Sequence, residues 1–89
     1  MIGMNKVRVI YYVDTKDNTK GSVCAIPSDK DMRNAVVINK IAEEIRGCFA
    51  HNSLVSIHSI SIAKSISHFD YANMDDYEFG VEEVEVIEC

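Results

Sequence analysis

The stretch KVRVIYYVD, residues 6–14, alternates with a period of two: Val7, Val9, Tyr11 and Val13 fall on one side, Arg8, Ile10 and Tyr12 on the other. That is the pattern of a strand rich in β-branched and aromatic residues, here apolar on both faces. The polar stretch TKDNTKG follows, with Asp17-Asn18 inside it and Gly21 at its end. It reads as a hairpin loop into a short second strand, SVCAI, paired antiparallel with the first. Pro27 ends that strand, and Ser28 with Asp31 three residues on has the form of a capping box, which predicts a helix from about Asp29. From there Ala35, Ile38, Ile41, Ala42, Ile45 and, if the helix continues past Gly47, Cys48 and Phe49 recur with helical spacing, while Arg33, Lys40, Glu43 and Glu44 lie opposite. Val36 projects onto the charged side as a lone exposed valine, and Gly47 is the expected C′ glycine.

Residues 55–69, VSIHSISIAKSISHF, also alternate, but Val55 and Ile57 are odd-numbered whereas Ile60, Ile62 and Ile66 are even-numbered. A helix here has to accommodate five serines and four isoleucines, so the propensities favour a third strand. The phase change at His58-Ser59 then implies a β-bulge or a long twisted strand with apolar residues on both faces in turn. The last stretch, VEEVEVIEC, places Val84 and Val86 on one side and Val81 and Ile87 on the other, and reads as an antiparallel neighbour of the third strand.

Four strands and one amphipathic helix predict an α+β two-layer sandwich in the order β-β-α-β-β, with a mainly antiparallel sheet and the helix on one face. At 89 residues this is one domain. One helix is too little to cover so much apolar strand surface. Ile10, Tyr12 and Ile57 are therefore expected at a second interface, closed by a second copy or another partner. The alternative is that strand twist and the 68–80 segment cover that face.

Composition narrows the class. The chain is 47% apolar and 26% charged, with one proline and four glycines, as in an ordinary globular protein. No run of about 18 apolar residues is present, nor a leader-like start, so a cytoplasmic location is expected. Cys24, Cys48 and Cys89 are an odd number at non-repeating spacings, which argues against a disulfide framework. Cys48 and His51 form half of a zinc-type spacing without a second half, so no metal and no cofactor is expected. An EF-hand reading fails, because after Asp70 the ligand positions hold Ala72 and Met74. No nucleophile elbow, phosphate-binding glycine loop or paired zinc-binding histidines occurs, so no enzyme activity is expected. His58 and Lys64 are expected to pair with Glu82 or Glu88 across the sheet.

Charge is the remaining clue. Residues 68–89 hold Asp70, Asp75, Asp76, Glu78, Glu82, Glu83, Glu85 and Glu88 and no lysine or arginine. The first 67 residues hold all nine basic residues against six acidic ones. The net charge of −5 thus hides an acidic C-terminal quarter, which disfavours direct nucleic-acid binding. Aromatics interleave with these carboxylates, as at an interaction surface, where rings anchor and charges steer. The expected partner-binding residues are Asp70, Tyr71, Asp75, Asp76, Tyr77, Glu78, Glu83 and Glu85, with Tyr71 and Tyr77 as anchors.

In size, acidity and lack of catalytic motif the chain is similar in style to the small inhibitors that phages and mobile elements direct at host nucleases, including anti-CRISPR and DNA-mimic proteins. The similarity covers composition and carries no residue correspondence. It implies a non-catalytic protein that binds a basic surface of a nucleic-acid-handling partner. The alternative is a homodimeric ligand-binding or regulatory module.

Overall fold

The computed structural model describes residues 3–88 of the chain, with side chains over residues 6–86. Strand β1 spans Gly3–Asp14 and β2 spans Thr19–Pro27; helices α1, α2 and α3 span Ala35–Cys48, Ser53–Ile57 and Ser59–Ser67; β3 spans Ala72–Met74 and β4 spans Tyr77–Glu88. The fold is α+β, with one four-stranded antiparallel sheet in the order β2-β1-β4-β3 and the helices packed on one face. Among the described residues no helix is long and apolar enough to cross a membrane.

Residues 53–67 correct the expected third strand. Val55, Ser59, Ile62, Ala63, Ile66 and Ser67 are the buried positions, spaced at four, seven, eight, eleven and twelve residues from the first, which is one stripe of a helix. Two serines, Ser59 and Ser67, belong to that stripe, so the apolar residues alone do not show its helical period. Burial outweighs the modest propensity penalty of isoleucine and serine. Ser59 Oγ accepts a 2.8 Å bond from Arg46 Nη1, and Ser67 Oγ donates to the Lys64 carbonyl at 2.7 Å, so neither hydroxyl is buried unpaired. Asn52 caps the first turn by accepting from the Val55 N–H, and the break at His58 separates α2 from α3.

Helix α1 also starts later than its capping-box signal suggests. Asn34 is the N-cap and accepts from the Val36 N–H at 2.8 Å. Ser28 donates instead to Glu83, Asp31 accepts from the Arg33 N–H, and residues 28–34 form successive turns that lower Met32 into the core. Gly47 lies inside the helix and Phe49 is the C-cap, its N–H bonded to the Ile45 carbonyl.

Ile10 on β1 is 0% exposed beneath the helices, and Tyr12 shares its face. Two directly paired residues are glycines because rings lie across them. A Cβ at Gly21 would collide with the Tyr12 ring on the inner face, and one at Gly80 would come within 2.6 Å of the Tyr11 hydroxyl on the outer face. The β1–β2 register shifts between Ile10 and Tyr11, and this bulge turns both Val23 and Cys24 toward the core. Alternation then sends Val7, Val9, Tyr11 and Val13 to the outer face, which no helix covers.

The expected second interface is therefore redistributed. Ile10 is core, Tyr12 is half-buried in an aromatic cluster with Phe49 and Tyr77, and Ile57 is 75% exposed on α2, in the helical layer. These three residues do not share a surface. The apolar strip on the open sheet face is instead Val7, Val9, Tyr11 and Val13, continued by exposed Val84 and Val86 of β4.

Candidate functional site

At one end of the sheet the β1–β2 loop and the β3–β4 turn are tied together. The Thr15 N–H and its Oγ1 both donate to the Asp76 carbonyl at 2.9 Å. Asn18 and Asp75 occupy left-handed backbone conformations, with φ of 61° and 57°, which Asn and Asp tolerate in turns. This brings Asp14, Asp17, Asp75 and Asp76 to one tip with Lys16 among them, and Glu78 follows on β4 in the same sheet row as Val13 and Lys20. Lys16 Nζ lies 3.0 Å from Asp76 Oδ2. The hydrogen bond and charge of Asp76, and then the charges of Asp75 and Asp14, push its ammonium up from the ordinary value. Asp17 accepts from the Thr19 side chain at 2.7 Å and its N–H at 3.1 Å, and these bonds hold its carboxyl below the usual range. Asp75 accepts from Asn52 Nδ2 at 3.2 Å, which joins the tip to the start of α2. Burial, and then the Asp14 and Asp75 charges, raise the Tyr77 phenol.

The other carboxylates of the acidic quarter divide into two groups. Glu82 pairs with Lys20 at 3.0 Å, and that ammonium sits 4.4 Å from the Tyr11 ring centroid. Glu83 lies 3.7 Å from Lys6 Nζ and 3.9 Å from Arg8 Nε. Asp76, Glu82 and Glu83 are thus partly neutralised by bases from the first half of the chain, so the quarter is less uncompensated than its sequence suggests. Asp70, Glu78 and Glu85 are exposed and make no ion pair among the described residues. Glu88 and Ile87 lie outside the described side chains.

The two expected anchors also separate. Tyr71 is 76% exposed and borders Tyr11 above Gly80, where burial and the Tyr71 phenol raise the Tyr11 hydroxyl. Tyr77 is packed, its ring 4.7 Å from Phe49 and 6.0 Å from Tyr12 between centroids, so it supports the tip from beneath. Asp14, at the end of the first strand, and Asp17, in the hairpin loop, join the site; the sequence signal for them is the acidic turn DTKDN. His58 and Lys64, expected to face Glu82 or Glu88 across a sheet, lie in the helical layer, with His58 Nδ1 2.9 Å from the Leu54 carbonyl.

Burial pushes the Cys24 thiol up to about 11, so it is an inert core neighbour, whereas Cys48 and His51 are exposed. Among the described residues no group of three His, Cys, Asp or Glu side chains is placed to hold a metal. No family model, no curated protein and no solved structure matches the chain significantly.

Proposed function

We propose that the protein is a small acidic interaction protein with no chemistry of its own, which docks its carboxylate tip on a basic surface of a nucleic-acid-handling protein. The observation that carries this reading is the carboxylate cluster at two hydrogen-bonded turns, where Asp76, Asp75 and Asp14 act on Lys16 and Asp17 lies in the same loop. A rigid cluster of like charge steers association with a basic surface and competes there with phosphate. Such an inhibitor of host defence, of anti-CRISPR or DNA-mimic style, needs no cofactor.

The test uses Asp17→Asn, Asp75→Asn and Glu78→Gln together, which keep shape and the turn hydrogen bonds while removing three charges. Affinity capture from the source cell over a salt series should recover a basic protein with the native chain, released as ionic strength rises. The triple variant should lose it at low salt. Retention of the same partner at the same ionic strength would exclude the tip as the docking surface. A second reading, a homodimer closed over the open sheet face, is favoured by the strip Val7, Val9, Tyr11, Val13, Val84 and Val86. Light scattering separates the two, because an apolar dimer persists at high salt.

A further inference from the structure

A second charged feature, of opposite sign, lies between the β2–α1 connection and the end of α3. It is a cleft of about 270 Å³ walled by Arg8, Lys30, Arg33 and His68, with Met32 as its floor and Phe69 at its rim. The bases come from β1, from the 28–34 turns and from the residue after α3, so the fold gathers them from three segments. In a chain of net charge −5 this is a local reversal of sign. Asp31 is the one carboxylate in the wall, and its Oδ1 is engaged by the Arg33 N–H at 3.0 Å. Among the described residues Lys30 and Arg33 make no ion pair, and both are exposed.

Arg8 is pre-positioned at the back of the cleft. Its Nη1 donates to the Lys30 carbonyl at 3.0 Å, Glu83 lies 3.9 Å from its Nε, and its guanidinium stands 5.3 Å from the Phe69 ring centroid. The C-terminal end of α3 points toward this cleft, and its partial negative charge would by itself oppose an anion. That charge is largely spent internally. The Lys64 carbonyl accepts from Ser67 Oγ and the His68 N–H, the Ser65 carbonyl from the His68 and Asp70 N–H groups, and the Ile66 carbonyl from the Phe69 N–H.

Phe69 adds a second, independent feature. Its φ is 60°, a conformation that favours glycine or asparagine at a helix end, and its ring is nevertheless 57% exposed. The ring is held in place by the Arg8 guanidinium at 5.3 Å and otherwise stands in solvent. One side carries Arg8, and the rest of its surface is open to a planar group.

We propose that this cleft binds a small phosphate monoester joined to a planar ring, of the nucleoside monophosphate class. The phosphate lies between Lys30 and Arg33 with Arg8 behind it, and the base stacks on Phe69. A cleft of about 270 Å³ that opens beside the exposed Phe69 ring admits one such molecule. The assignment is independent of the acidic tip, at the far end of β1.

Heteronuclear NMR of the intact chain with adenosine monophosphate, inorganic phosphate and adenosine tests it. Adenosine monophosphate should give saturable shifts confined to residues 30–33 and 67–69, phosphate a weaker response at 30–33, and adenosine none. The Lys30→Ala, Arg33→Ala double variant should weaken adenosine monophosphate by about tenfold or more at unchanged melting temperature. Phe69→Gly should keep the phosphate response and lose the advantage of the nucleotide. Absence of saturable shifts at millimolar ligand, or unchanged affinity in the double variant, would overturn the site. Equal affinity for phosphate and nucleotide would overturn the ring contact and the nucleotide class with it.

Discussion

Ser59 shows how much one small side chain decides. It is buried against α1, and its hydroxyl takes the Arg46 Nη1 hydrogen bond at 2.8 Å. Ser59→Ala leaves that guanidinium donor without its partner in a half-buried position and is expected to cost about 1–2 kcal/mol. Ser61→Ala, on the exposed side of the same helix, should cost nothing and gain slightly from alanine's helix propensity. Thermal melting of the two variants checks this, since in a strand both serines would share one face and respond alike. Phe69 and Tyr77 carry the complementary lesson. A residue's hydrophobic type does not by itself fix its exposure: the first stands out on the surface while the second is locked into an edge-to-face cluster.

At the scale of elements, α3 and β4 are the two that test the architecture. Ile60 and Ile62 have the same parity, so in a strand they face the same way; in α3 Ile62 is 2% exposed and Ile60 is 37% exposed. Ile62→Ala should therefore destabilise by about 2–5 kcal/mol, and Ile60→Ala by less than about 1 kcal/mol, read from denaturant midpoints at constant slope. Strand β4 pairs with β1 along its whole length, but β3 covers its other edge only as far as Phe79. Beyond that point an unpaired row of backbone groups is flanked by Glu82, Glu83 and Glu85. Charges on a bare edge discourage pairing with another chain, and Glu85, which makes no ion pair among the described residues, is placed to do so beside Glu82 and Glu83. Glu83→Val with Glu85→Val leaves only Glu82 of the three and should produce more concentration-dependent association in light scattering than the native chain shows. A double variant that remains as dispersed as the native chain would show that these glutamates do not guard the edge.

Over the whole molecule, charge is sorted into an acidic tip and a basic cleft, with a sheet that is helical on one side and bare on the other. If the tip is the docking surface, its neutralisation should abolish partner capture without touching the cleft, and the Lys30, Arg33 variant should do the reverse. By sequence alone the α+β class, β1, the hairpin into β2, the body of α1 and the final strand were legible, because their periods of two and 3.6 run through residues whose apolar character matches their burial. Residues 53–67 were not legible, because Ser59 and Ser67 are buried in the helical stripe and the remaining isoleucines mimic an alternating pattern. The open sheet face was anticipated, but its parity was not: both faces of β1 are apolar, and only the helices resting on Ile10 and Tyr12 assign Val7, Val9, Tyr11 and Val13 to the outside. The charge count of the last quarter was likewise available from sequence, whereas its compensation by Lys6, Arg8, Lys16 and Lys20 depends on bringing together segments more than 50 residues apart. The tip and the cleft belong to the tertiary structure for the same reason. Local sequence determines periodicity and turn chemistry, but which side chains meet is set by how the elements stack, and each of these sites draws its residues from segments that only stacking brings together.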